Sequence, residues 1–425
     1  MPHATAIVNA RVFDGTGADP VLADVLVEGS RIVEVAPHLG RSARGDARVV
    51  DGGGATLLPG LIDGHAHLGF GSTTRYLSDR SESDEEKALL IAHAGGVLLD
   101  SGFTSAYSGG NRLPAAEVAA RRAFSEGWLP GPRLRACSWE GSVGLVEPGS
   151  YSFPGVEERE PDPEGVARFV HDMADLHVDT VKLSLSGESA VVHGSSRILQ
   201  FTDSEVAAAS AAARQRGVWL TAHAHSPEAI MLAVKHGVRA IYHATFADEA
   251  AIDALTRARD RVFVAPTPGV IWAHLHDSAH PPEPGMEVPE TADSVKAVAA
   301  ELKSRGVRLV PGGDYGFAFN PIGLNARDLR LFVEWFGYTP AEALRAATQY
   351  GGQLMGMASE LGLVKTGYLA DLLLVDGDPL NDIGLLADQR NLVMIMKDGR
   401  MHKLDASRAA RLDAAGTARL DAAGF

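Results

Sequence analysis

A single cysteine, Cys137, stands among the 425 residues. That excludes a disulfide framework within the chain and fits a reducing compartment. Set in an apolar context, the thiol reads as an inert core group rather than a nucleophile. Basic residues are in the minority, 39 Lys and Arg against 54 Asp and Glu, for a net charge of −15. Nucleic acid and anionic membrane surfaces are therefore excluded as partners. No apolar run approaches the roughly 18 residues that a membrane span requires. The N-terminus lacks the basic-then-apolar order of a secretory signal. A soluble, cytoplasmic protein is expected. What remains is an ordinary globular balance, 45% hydrophobic and 22% charged, long enough for a large barrel with an extra domain.

Residues 4–56 alternate short apolar runs with Gly and Asp turns, and strands are expected at 4–11, 21–28, 31–36 and 48–50. From 57 onward apolar runs alternate with Ala-rich amphipathic stretches, the pattern of parallel β/α units. Eight such runs, at 57–62, 103–107, 134–138, 180–185, 218–222, 240–243, 262–265 and 307–311, predict a (β/α)8 TIM barrel with its active site at the strands' C-terminal ends. Helices are expected at 84–101, 115–126, 163–176, 203–215 and 227–236. Two further strands, 369–375 and 392–396, return to the N-terminal segment and complete a small β-sandwich domain. The expected organisation is 1–56 for the first part of that domain, 57–364 for the barrel, 365–405 for the second part, and 406–425 for an Ala-rich tail.

The polar residues at the expected strand ends carry the chemistry. The run Leu-Leu-Pro-Gly-Leu-Ile-Asp-Gly-His-Ala-His-Leu over 57–68 offers His65 and His67, which strand alternation puts on one face. Neutral imidazole suits zinc-type metals. Lys182 lies inside the apolar run Thr-Val-Lys-Leu-Ser-Leu, where a lysine is costly unless paired or altered. A lysine with a depressed pKa can take up carbon dioxide as a carbamate, an anionic oxygen ligand. The fifth run ends in His223 and His225, the sixth in His243, and the eighth leads into Gly-Gly-Asp at Asp314.

This ordered set resembles the amidohydrolase superfamily, and the resemblance runs from 59–67 to Gly-Tyr-Leu-Ala-Asp-Leu-Leu-Leu-Val at 367–375. The resemblance implies two divalent metal ions, zinc first, with manganese, iron or cobalt as alternatives. It implies that His65, His67 and Asp314 hold one ion, that His223 and His243 hold the other, and that Lys182, carboxylated by carbon dioxide, bridges them. A bridging hydroxide is then the nucleophile and Asp314 its proton shuttle, with His243 and His225 completing the catalytic set. His225 is expected beside the ligands or against the substrate, and Tyr242 is expected to point away unless the strand bends. A homo-oligomer is expected by the same resemblance.

Local wording is most similar to the molinate and phenylurea hydrolase group, through Tyr-His-Ala-Thr-Phe-Ala-Asp-Glu at 242–249, Gly-Gly-Asp-Tyr-Gly-Phe at 312–317, Asn-Ala-Arg-Asp-Leu at 325–329 and Asp-Gly-Asp-Pro at 376–379. Ochratoxinase and prolidase-like amidohydrolases are also similar. Tyr242 stands where many relatives have Glu. Ser-Trp-Glu-Gly-Ser at 138–142 replaces the Gly-His pair of prolidase-like relatives. Two Pro-rich stretches, 142–163 and 272–289, are expected as substrate loops over the barrel mouth. They and their surroundings offer Trp139, Phe153, Trp272, His274, His276 and His280, while the weak candidates for gripping a carboxylate are Arg197 and Arg327. The expected activity is hydrolysis of an amide, urea or carbamate-like C–N bond in a small, partly apolar or aryl substrate. The alternatives are an N-acyl-amino-acid or dipeptide amidase, a cyclic-amide or lactone hydrolase, and a non-catalytic barrel scaffold.

Overall fold

The structure is a computed structural model that describes residues 4–40, 44–72, 83–142, 155–189, 194–276 and 288–405. Its first strands are β1 (Thr5–Val12), β2 (Val21–Glu28), β3 (Arg31–Ala36), β4 (Arg48–Asp51) and β5 (Thr56–Pro59). There follow β6 (Leu61–Ala66), β7 (Phe103–Ser108), β8 (Arg133–Arg135), β9 (Cys137–Gly141), β10 (Thr180–Ser184), β11 (Trp219–Ala224), β12 (Ala240–His243), β13 (Phe263–Ala265) and β14 (Arg308–Leu309). The last are β15 (Leu372–Val375), β16 (Leu392–Lys397) and β17 (Arg400–Leu404). The chain divides into two compact units. One comprises Met1–Ile62, Leu98–Ser105 and Tyr338–Phe425, the other Asp63–Val97 and Ala106–Gly337.

The first unit holds one eight-stranded sheet in the order β17-β16-β15-β5-β1-β2-β3, with β4 paired to β1. Strand alternation sorts β1 between two apolar clusters, and a register shift between Ile7 and Ala10 exchanges the faces midway. Ile7 and Ala10 join Val25, Leu57, Leu372, Leu374 and Met394, whereas Ala6 and Val8 join Leu26 and Leu39. Each fully buried aliphatic side chain contributes about 1.5–3 kcal/mol. The C-terminal strands do return to the N-terminal ones, since β15 runs antiparallel to β5 with Leu372 opposite Pro59. The apolar run at 57–62 is not a single strand. Its first half is β5, paired with β1 and β15, and Gly60 separates it from β6. Strand β17, which ends this sheet, was absent from the expectation.

In the second unit β9 to β14 form a parallel sheet in sequential order; β6, β7 and β8 form a three-stranded sheet whose first two strands begin in residues of the first unit. The run expected at 134–138 breaks at Ala136 into β8 and β9. Beyond the ladders, Ala66 makes an isolated parallel bridge with Tyr315, and Gly64 N donates to Pro311 O at 2.7 Å. The strands alternate with helices: α1 (Asp84–Asp100), α2 (Pro114–Glu126), α3 (Pro163–Asp175), α4 (Asp203–Arg216), α5 (Pro227–Lys235), α6 (Glu249–Arg257), α7 (Pro268–His276), α8 (Val288–Ser304) and α9 (Arg327–Phe336). Asp162, Ser226 and Asp248 cap α3, α5 and α6 through their side chains, and Thr202 and Glu205 form a capping box on α4.

The two ends of the loop expected at 272–289 are helical, since 272–276 is the last turn of α7 and α8 begins at Val288, and 277–287 lie outside the described residues. Of the loop expected at 142–163, residues 143–154 lie outside them too, as does the tail 406–425. No helix among the described residues is long and apolar enough to cross a membrane. Cys137 is a buried free thiol, and burial pushes its pKa up to about 12, as an inert core residue requires.

Candidate metal centre

Strand β6 and the residue just past its end deliver His65 and His67 together, as period-2 alternation predicts. Their Nε2 atoms lie 3.1 Å apart, and Asp314 Oδ1 sits 3.0 Å from His67 Nε2 and 3.9 Å from His65 Nε2. Donors so spaced can share one ion about 2.1 Å from each. His67 Nδ1 faces Gly110 O at 2.9 Å, which fixes the ring and leaves Nε2 for the centre. Burial, reinforced by Lys182 and by the neighbouring imidazoles, holds His65 well below the ordinary histidine pKa against the pull of Asp314. The ring is therefore neutral, as ligation demands. Burial would raise the Asp314 carboxyl, but His65, His67 and Lys182 outweigh it and keep the group below the usual carboxylate range.

A second group gathers at the ends of β10, β11 and β12. Donor atoms of Glu188, His223, His225 and His243 all lie within 4.8 Å of one another. His225 Nδ1 is 2.7 Å from Thr245 Oγ1, His243 Nδ1 is 2.8 Å from Thr267 Oγ1, and His223 Nε2 is 3.1 Å from Gly187 O. Each ring thus has one nitrogen tied to a polar partner, the arrangement that orients metal-bound histidines. Burial, together with His225, lowers His223 to about 4, and burial drives His243 well below its ordinary value. Both donor sets fit divalent metal in composition and spacing.

Lys182 stands at the junction of the two sets. Only 2% exposed, its Nζ lies 3.2 Å from His65 Nε2 and 3.5 Å from Glu140 Oε1. Glu140 in turn lies 3.7 Å from His223 Nδ1 and accepts a 2.9 Å bond from Ser184 Oγ. Parallel pairing of β9 with β10 puts Glu140 directly opposite Lys182. Burial works to raise the Glu140 carboxyl, but Lys182 and His223 hold it below its ordinary range.

Four non-glycine residues of the centre adopt left-handed backbone: His243 (φ 72°), Ala244 (φ 50°), Thr267 (φ 52°) and Asp314 (φ 59°). Such residues cost about 1–3 kcal/mol each and gather at functional sites. Close packing adds a second constraint. A Cβ on Gly109 would fall 2.2 Å from His65 Cδ2, and one on Gly312 would fall 2.7 Å from His65 Cβ. The motifs at 312–317 and 325–329 brace each other, because Asp328 accepts from Gly312 N and from the Tyr315 hydroxyl, both at 2.9 Å. Asn325 meanwhile donates to Asp63, which accepts from His65 N at 2.8 Å.

All six ligand candidates from the sequence, His65, His67, Lys182, His223, His243 and Asp314, lie in these clusters, and His225 joins them. Tyr242, expected to point away, stacks on His65. The mouth aromatics are engaged by protein: Trp139 packs on Phe169 at 5.5 Å, while Trp272 stacks on His276 at 4.3 Å and under Arg327 at 4.4 Å. Arg197 is paired with Glu290 at 2.8 Å. Phe153 and His280 lie outside the described residues. The sequence reading missed Glu140, Glu188, Thr245 and Thr267. It also missed an aromatic series that starts at His67: Phe70 stacks on it at 4.0 Å, Phe317 lies 5.2 Å from Phe70, Phe319 lies 5.2 Å from Phe317, and His274 lies 4.4 Å from Phe319. Glu140 had a readable signal, since a carboxylate in an apolar strand invites the same question as Lys182. Phe70 had a weaker one, three residues past His67.

Parallel β/α units with two histidine–carboxylate sets at the strand ends form a mixed α/β fold whose solved neighbours are of TIM-barrel type. The chain belongs to the amidohydrolase family, whose sequence model matches residues 56–402, and is an enzyme acting on carbon–nitrogen bonds. Ochratoxinase of Aspergillus niger is 27% identical over 380 residues, 82% of this chain and 75% of that protein. Imidazolonepropionase of Rubrobacter xylanophilus is 24% identical over 413 residues, 89% of this chain and 90% of that protein. Among solved structures, a Xaa-Pro dipeptidase with bound methionine superposes with a TM-score of 0.79 at 25% identity, covering 94% of this chain and 100% of that one. Molinate hydrolase gives 0.76 at 21% identity with 94% coverage of each chain, a likeness of fold alone. Both branches named by the sequence resemblance are thus among the neighbours.

Proposed function

We propose that this chain is a two-metal hydrolase that cleaves an amide, urea or carbamate-like C–N bond of a small, partly apolar or aryl molecule. The observation that carries the reaction is Lys182, whose Nζ touches the first donor set through His65 and shares Glu140 with the second set through His223. In this reading His65, His67 and Asp314 would hold one ion, His223 and His243 the other, and Lys182, carboxylated, would supply an anionic oxygen ligand between the two sets. Divalent ions held there would acidify a shared water and polarise the scissile carbonyl. Asp314, ionised at neutral pH, takes the proton of the attacking water and passes it to the leaving nitrogen. We also read the strands from β6 to β14 as a closed (β/α)8 barrel, supported by the Ala66–Tyr315 bridge, and the eight-stranded sheet as the small β-sandwich domain.

The substrate reading rests on the aromatic series from Phe70 to Phe319 beside His67. Glu140 and Glu188 add negative charge to the centre, and Arg197 and Arg327 already have protein partners. A substrate carboxylate beside the aromatic series would lose its hydration without gaining an arginine or lysine partner. The competing reading, an N-acyl-amino-acid or dipeptide substrate, is favoured by the resemblance to a Xaa-Pro dipeptidase. Rates on an anilide, an aryl urea and a thiocarbamate, measured beside a matched dipeptide and N-acyl amino acid under one metal and pH, decide between them. The first panel should lead in kcat/KM. A tenfold lead for the carboxylate panel would replace the aryl reading by the dipeptidase-like one.

A further inference from the structure

Tyr242 is fully buried against the centre, yet neither the ligand sets nor the proton path uses it. Its ring lies face to face with His65, 3.8 Å between centroids and 3° between planes, and 4.9 Å from Lys182 Nζ. His65 differs from its companions. His67, His223, His225 and His243 each have one ring nitrogen against a carbonyl or hydroxyl oxygen at 2.7–3.1 Å. His65 Nδ1 is buried with no hydrogen-bond partner among the described residues. Metal-bound histidine is ordinarily oriented by that second bond, so another group must set the plane of the His65 ring.

The backbone goes to some length to supply one. Alternation along β12 would send Tyr242 and His243 to opposite faces. Instead Ala244 N donates to Tyr242 O at 3.0 Å around His243 at φ 72°, the rare positive-φ kind of γ-turn, which is strained. That turn allows two consecutive side chains to meet the same centre. The Tyr242 hydroxyl lies beside Thr221 and a long 3.4 Å from Ser108 O, whereas its ring lies flat on His65.

We propose that Tyr242 is a positioning residue of the metal centre, whose ring face sets His65 as a ligand in place of the missing hydrogen bond and backs Lys182. The inference rests on the reading of His65 as a ligand. It is tested by zinc affinity, from chelator competition at fixed bicarbonate, in Tyr242→Phe, Tyr242→Met and Tyr242→Leu, alone and with His65→Asn. Thermal melting of the metal-free proteins identifies those that fold. Tyr242→Phe should stay within about twofold of wild type. The non-aromatic variants should bind about ten- to a hundredfold more weakly, the scale of lost outer-shell partners, and should add nothing in the His65→Asn background. Wild-type affinity in a folded Tyr242→Met or Tyr242→Leu protein would overturn the inference. So would a loss in Tyr242→Phe, which decides the matter alone if the other variants do not fold, or a loss that persists without His65. A wild-type chain that binds no zinc overturns the proposed function as well. Tight wild-type binding with an indifferent Tyr242→Met overturns this inference alone.

Discussion

Replacing Thr267 by valine should weaken metal binding about ten- to a hundredfold while sparing the fold. Thr267 Oγ1 lies 2.8 Å from His243 Nδ1, and both residues are buried. Valine has the same branched shape and carries the same strain at φ 52°. The change therefore removes one hydrogen-bond partner and little else. A buried donor left without its partner costs about 1–3 kcal/mol. Loss of a group that orients a metal-bound histidine costs about ten- to a hundredfold in affinity, which is about 1.4–2.7 kcal/mol at 1.36 kcal/mol per tenfold.

Thr245→Val is the matched control, because Thr245 Oγ1 stands 2.7 Å from His225 Nδ1. The His225 and His243 rings lie 4.4 Å apart and only 19° from parallel. In the proposed function His243 is the ligand and His225 stands beside it, although the donor atoms of both lie within 4.8 Å of the rest of the set. On the ligand assignment to His243, Thr245→Val should keep its metal and lose kcat/KM. Zinc affinity by chelator competition, metal content per chain and melting with and without metal supply the readings. Equal metal loss in both variants would make His225 a ligand. Wild-type affinity in Thr267→Val would remove His243 from the ligand set.

Two further outcomes follow from the centre. Asp314→Asn keeps the side chain's shape beside His65 and His67 but removes the proton acceptor, so kcat should fall by about two to four orders of magnitude; near-normal turnover would refute the shuttle. Lys182→Ala should lose both metal and activity, and Lys182→Arg should restore neither at any bicarbonate concentration, since guanidinium forms no carbamate. Full metal occupancy in both variants would end the bridging role.

Much of the centre was legible because its parts obey local periodicities. His65 and His67 meet because strand side chains repeat every two residues, and Lys182 was conspicuous as a charge inside an apolar run. The run at 57–62 was misassigned because it is apolar throughout, and hydrophobicity alone cannot say that β5 pairs with β1 and β15 while β6 starts a new sheet. The second half of α7, 272–276, looks like loop in sequence because Pro and His dominate the stretch that follows it. Trp139 looked like a substrate contact until β9 was seen to carry its neighbour Glu140 toward Lys182 and Trp139 onto Phe169.

Tyr242 marks the limit of such reasoning. Left-handed backbone is legible where Gly or Asn permits it, but here His243 and Ala244 adopt it with ordinary side chains. No residue type announces the turn. The surroundings impose it: His225 O accepts from Phe246 N at 2.9 Å and Ala224 O from Ala244 N at 3.0 Å, pinning the chain just beyond β12 to the end of β11. The ligand His243 and the ring that backs His65 are therefore set by one strained peptide segment. The alternation rule that located the histidines fails at the position where the centre needs two neighbouring side chains on one face.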